Sequence, residues 1–128
     1  MEASSNAAKL LARIFMGGSF VIFGAEKFWD VGGTVAYIGS KLPLANIVFW
    51  MAILIEIGFG ILVIVGYRTR WVALFLAFYC AFTTVVFHFD FSGPRQIDHF
   101  LVNLVMSGAF LYLFASGPGA YAIEKQEA

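Results

Sequence analysis

Cysteine, proline and charge are all scarce in this chain. Of its 128 residues one is cysteine, three are proline, and eight basic side chains balance eight acidic ones. The single thiol, Cys80, excludes an internal disulfide, a Cys-x-x-Cys redox pair and a cysteine zinc site. Any redox role would therefore need a bound cofactor or a partner protein. No basic tail or patch offers itself to nucleic acid. The two histidines, His88 and His99, stand near several carboxylates, but no spacing matches a metal motif, so no metal is expected.

What the chain has is apolar surface. It is 61% hydrophobic, with 15 phenylalanines. So short a chain cannot bury that much inside itself, because small domains keep much of their surface exposed. The excess must face lipid. Four apolar stretches, about 8–28, 44–65, 71–89 and 97–116, are each long enough to cross a hydrocarbon core, which takes about 20 helical residues. Their apolarity is continuous rather than alternating, which selects helices over strands. The expected fold is all-α: one domain over 1–128, an integral membrane bundle of four transmembrane helices. Between the first two spans, Val31, Val35, Ile38 and Leu42 recur at helical spacing, so this connection is either a short interfacial helix or a plain loop. No cleavage site follows the first apolar run, which reads as a retained signal anchor.

Each span carries one stripe of small or polar residues at helical spacing. These are Arg13, Gly17, Phe20, Gly24 and Lys27; Ala45, Ala52, Glu56 and Gly60; Ala73, Ala77, Ala81, Thr84 and His88; and His99, Asn103 and Phe110 with Ser107 beside them. Such stripes let helices approach closely and bond across the bundle. Within "AILIEIGFGILVIVG" (52–66) only Glu56 is charged. A charge at mid-membrane costs about 2–3 kcal/mol or more, so Glu56 should face inward and find a partner. Counted from the end nearest the termini at 1.5 Å per residue, Glu56 lies roughly 13 Å deep and Arg13 roughly 5–8 Å deep. Arg13 is accordingly the expected ion-pair partner, and Lys27, near the opposite surface, is read as too distant. Glu56 has three readings: a structural ion pair, a proton-handling or ligand-contacting group, and a protonated acid bonded to a neighbour. Lys27, His88, His99 and Asn103 form a candidate polar ligand site at the other end.

"LLARIFMGGSFVIFGAEKF" (10–28) and "EIGFGILVIVGYRTRWVA" (56–73) resemble the two signatures of the DoxX family, and "FHFDF", "HFLVNLVMSGAFL" and "GPGAYAIE" resemble its later pattern. The resemblance implies a small four-helix bacterial inner-membrane protein tied to redox complexes. Some members of the wider group are subunits of a thiosulfate:quinone oxidoreductase; others associate with sulfur-handling or superoxide-detoxifying partners. The positions it carries over are Arg13, Gly17, Gly24, Lys27, Glu56, Gly60, Thr69, Arg70, His88 and Asn103. Three functions follow as expectations. The first is a membrane subunit of a quinone- or sulfur-linked redox system, with Glu56 as the candidate catalytic group and quinone as the candidate small molecule. The second is a non-catalytic anchor or scaffold for a soluble redox enzyme. The third is a small transporter, against which the missing inverted repeat argues. Besides the lipid bilayer and such an enzyme no partner is implied, and self-association is left open.

Lys9, Arg13, Arg68, Arg70 and Lys125 fall on one side of the spans, against Lys27, Lys41 and Arg95 on the other. The positive-inside rule then puts both termini and the turn bearing Arg68 and Arg70 in the cytoplasm. In a Cys80→Ser background, a cysteine at Ser40 should react with an impermeant reagent in intact cells and one at Lys125 should not. The reverse labelling would invert the orientation.

Overall fold

In the computed structural model, residues 2–87 and 96–124 are described, and these contain helices and turns but no strand. His88, Asp90, Arg95 and Lys125 lie outside the described residues. The helices are α1 (Glu2–Glu26), α2 (Val31–Gly39), α3 (Ala45–Ile53), α4 (Gly60–Val65), α5 (Thr69–Phe87) and α6 (Gln96–Ser116). A π-helical segment, Leu54–Phe59, joins α3 to α4, so that Ala45–Val65 is one span. With Glu2–Gly39, Thr69–Phe87 and Ile97–Ser116 it makes four helical stretches long and apolar enough to cross a membrane. The fold is a four-helix membrane bundle.

The chain between the first two spans is helical. A 3-10 turn, Lys27–Asp30, ends α1, and the Asp30 carboxylate accepts the Gly33 N–H at 3.0 Å to cap α2. Ile38 is buried against Phe49 and Ile53, with Val35 and Leu42 packed around them. Tyr37 donates to the Phe87 carbonyl at 2.9 Å. The periodic apolar residues of 29–43 thus fasten α2 across α3 to the end of α5.

The inward stripes of the sequence are largely the buried faces. Arg13, Gly17, Phe20 and Gly24 are the buried residues of α1. On α5 the buried face runs through Thr69, Ala73, Leu76, Ala77, Cys80 and Thr84. Ala81, expected on that stripe, is exposed. Cys80, one position earlier, falls in line with Leu76 and Thr84 and fills the place beside Phe20, Val63 and Phe110. The fourth span joins α5 through Ser107, whose hydroxyl donates to the Ala77 carbonyl at 2.9 Å.

Where α1 crosses α4 the contact is backbone on backbone. A Cβ on Gly17 would stand 2.4 Å from the Gly60 carbonyl oxygen, and one on Gly60 would stand 2.7 Å from that of Gly17. Small residues at a membrane helix crossing permit this approach, and van der Waals packing holds it. Gly24 lies one step further along the same seam, against Ile57 and the Glu56 Cβ. Gly17→Ala or Gly60→Ala must push α1 off α4 and should cost about 1–3 kcal/mol. Gly18→Ala meets nothing within 4 Å and should be neutral. Thermal melting in detergent reads the difference; equal midpoints for Gly17→Ala and Gly18→Ala would contradict the close seam.

Candidate functional site: an intramembrane carboxylate between an ammonium and a phenol

Glu56 is buried in the π-helical segment. Its Oε1 accepts from Lys27 Nζ at 2.7 Å, an ion pair, and its Oε2 accepts from the Tyr79 hydroxyl at 2.7 Å. Both carboxylate oxygens are therefore satisfied, one by charge and one by a neutral donor. Charge-assisted bonds of this kind are the strong ones. The π geometry places one extra residue in a turn, and such turns occur often where a side chain does something specific. Here it carries the one acidic residue of the span.

The expected Arg13–Glu56 pair is not what forms. Gly24 touches the Glu56 Cβ, and Gly24 is about 16 Å along α1 from Arg13 at 1.5 Å per residue. Lys27 is one turn past Gly24, and its four-carbon stem reaches back down the seam. Its ammonium also donates to the Phe23 carbonyl at 3.2 Å. The depth count failed because the first helix enters with an offset: Gly17 lies level with Gly60 and Ile64, so Arg13 falls at the end of α4.

There Arg13 does different work. It is fully buried. It donates to the Ile64 carbonyl at 2.8 Å, to the Val63 carbonyl at 3.4 Å, and to the Tyr121 carbonyl. Cations suit helix C-terminal carbonyls, which are left without intrahelical donors. Arg13 thus caps α4 and ties down the chain after α6.

The candidate polar ligand site divides. Lys27 belongs to Glu56. Asn103 is half-buried and donates to the His99 carbonyl at 3.0 Å, one turn back on α6; Thr83 Oγ1 lies 3.5 Å from its Oδ1. His99 is exposed. His88 lies outside the described residues. Arg68 and Arg70 stand at the turn into α5, where Arg70 packs on Gly117. Among the described residues no group of three or more His, Cys, Asp or Glu side chains could hold a metal ion.

Tyr79 and the π turn were not read from the sequence. A signal for Tyr79 existed: a phenol in mid-span, like a carboxylate, needs a hydrogen-bond partner. Its ring stacks on Phe75 at 6.5 Å and meets the edge of Phe20 at 6.1 Å. Cys80, the next residue of α5, is a free buried thiol. The site is an acid held between an ammonium and a phenol inside an aromatic wall.

The bundle and its intramembrane acid define a small polytopic membrane protein. Residues 8–89 match the DoxX family model, and this chain belongs to the DoxX family of inner-membrane proteins. It is 34% identical over 125 residues to the inner membrane protein YqjF of Escherichia coli (strain K12), covering 98% of this chain and 95% of that one. It is 35% identical over 124 residues to the inner membrane protein YphA of the same organism, covering 91% and 88%. It is 30% identical over 115 residues to CatD of Bacillus subtilis (strain 168), named as a proposed oxidoreductase, covering 85% of each. No solved structure matches this chain.

A double-mutant cycle identifies the partner of Glu56. Lys27→Met with Glu56→Gln should show a coupling of about 0.5–3 kcal/mol, as contacting residues do, whereas Arg13→Gln with Glu56→Gln should be additive within about 0.5 kcal/mol. Coupling in the second cycle and additivity in the first would reverse the assignment.

Proposed function

We propose that this protein is the membrane subunit of a quinone- or sulfur-linked redox system, and that the Glu56 cluster handles protons for it. The observation that carries the reading is one carboxylate bonded to both an ammonium and a phenol inside a transmembrane bundle. An intramembrane ionisable group is costly to keep and marks a functional site by default. The resemblance of the chain to a relative named as a proposed oxidoreductase favours redox work over other uses of a proton.

The chemistry sets what the residues must do. Reducing a quinone to its hydroquinone takes two electrons and two protons; a sulfur compound, delivered by a separate soluble protein, is the proposed electron donor. A quinone carbonyl needs hydrogen-bond donors as negative charge builds on its oxygen. An ammonium has three donors, and among the described residues Lys27 uses two of them, on Glu56 and on the Phe23 carbonyl. Its side chain keeps 23% of its surface exposed, so the third is available to an incoming carbonyl. Tyr79 and Glu56 would refill the proton behind it. Phe20 and Phe75 give a planar ring an apolar setting.

Quinone should be enriched in lipid extracted from protein purified out of native membranes. Quinone reduction with sulfur donors should then fall at least about tenfold in Glu56→Gln and in Tyr79→Phe, the lower range for losing a positioned proton donor. Both variants should stay folded, since Gln still bonds and Phe keeps the ring. Without quinone enrichment, and without a rate change in either variant, the anchor reading would replace this one.

A further inference from the structure

The end of the bundle where α1 begins and the chain after α6 returns holds a second polar assembly, which the proposed redox reading does not use. After α6 the chain turns at Gly117 and runs back over the ends of α1, α4 and α5. The Ala120 N–H donates to Asn6 Oδ1 at 3.0 Å. The Tyr121 carbonyl accepts from Arg13. Ile123 and Glu124 N–H groups donate to the Val65 and Gly66 carbonyls at 3.0 and 3.2 Å. This strap ends with the Glu124 carboxylate on the N-terminus of α5: its Oε1 accepts the Thr69 N–H at 2.8 Å.

That position is electropositive from three directions. A helix N-terminus carries unsatisfied N–H groups and the positive end of the helix dipole, and α5 runs for 19 residues. Arg13 lies against Gly66, whose carbonyl accepts the Glu124 N–H, and Arg68 directly precedes Thr69. The site also has more donors than one carboxylate uses. Thr69 Oγ1, on the residue whose N–H holds Glu124, is fully buried and has no hydrogen-bond partner among the described residues, and the same holds for Arg13 Nε. A buried polar group without a partner costs about 1–3 kcal/mol, and the Thr69 hydroxyl, on the residue whose N–H holds Glu124, points to a ligand with more oxygens than Glu124 brings.

We propose that the N-terminus of α5, with Thr69, Arg13 and Arg68, is a binding site for a tetrahedral phosphate group, and that Glu124 is its built-in competitor. A phosphate offers acceptor oxygens to the Thr69 N–H and hydroxyl and to the arginines at once, which is the usual chemistry of a helix N-terminus. Its entry expels Glu124 and lifts the strap. Inorganic phosphate and a phospholipid headgroup share that chemistry, and the bundle end near the membrane surface is within reach of either.

The test uses the full chain, purified in phosphate-free buffer. Glu124→Gln removes the competitor's charge, so inorganic phosphate should raise its thermal midpoint saturably, by roughly 5 °C at tenfold excess over the dissociation constant. Adding Thr69→Val should abolish the shift. A second readout avoids reliance on the stability of these variants. A spin label at Ile123→Cys in the Cys80→Ser protein should become more mobile when phosphate is added. In a phosphate-free detergent, adding phosphatidylglycerol should mobilise it if the source is lipid. A response to phosphate alone assigns the site to soluble phosphate; one to phosphatidylglycerol alone assigns it to the headgroup. Responses to neither, or a shift that survives Thr69→Val, would overturn the proposal.

Discussion

A carboxylate in the middle of a lipid span is the constraint around which the bundle is arranged. Left alone it would cost several kcal/mol. The chain answers with an ammonium from the first span and a phenol from the third, each 2.7 Å from its own oxygen of Glu56. Neither reaches unless the helices are close. The Gly17–Gly60 contact and the bare flank at Gly24 let α1 lie on the second span so closely that the Lys27 stem can fold back to Glu56. Tyr79, from α5, ties the other half of the bundle to the same atom group. Packing and electrostatics thus support one another: the seam brings the charges together, and the charges fix the register of the seam.

The first helix carries two inward cations with separate tasks. Lys27 and Arg13 are roughly 21 Å apart along α1. Lys27 meets a side-chain charge in mid-bundle; Arg13 meets backbone carbonyls where α4 stops and where the chain after α6 crosses. Gly66 makes that crossing feasible: it ends α4 in the left-handed conformation at φ 77°, and a Cβ there would strike both Ala122 and Arg13. One end of the bundle is closed by backbone and strap, and the Lys27–Glu56–Tyr79 cluster lies toward the other half.

Much of this was legible in the sequence. The four spans, the inward stripe of α1 and the burial of Glu56 follow from apolar run length, helical period and the cost of charge in lipid. The connection at 29–43 showed its helical spacing but not which of helix or loop it would take; the Asp30 cap decided it. The partner of Glu56 was not legible, because depth counted from span ends ignores the offset between neighbouring helices and the reach of the Lys27 stem back along the seam. Ala81 and Cys80 differ by one position, a rotation that only the packing against Phe20, Val63 and Phe110 resolves. The π turn has no propensity signal of its own. It carries Glu56, between the Gly24 flank and the bonds to Lys27 and Tyr79.

In this DoxX-family inner-membrane protein, the proposed redox role depends on Lys27, Glu56 and Tyr79 forming an ammonium–carboxylate–phenol chain. Dipolar recoupling in lipid bilayers, with nitrogen-15 on lysine and arginine side chains and carbon-13 on the Glu56 carboxyl, measures the link directly. A strong coupling from the Glu56 carboxyl carbon to Lys27 Nζ, at hydrogen-bonding distance, and none to the Arg13 guanidinium is the result expected. A coupling to Arg13 with none to Lys27 would contradict the account at its centre.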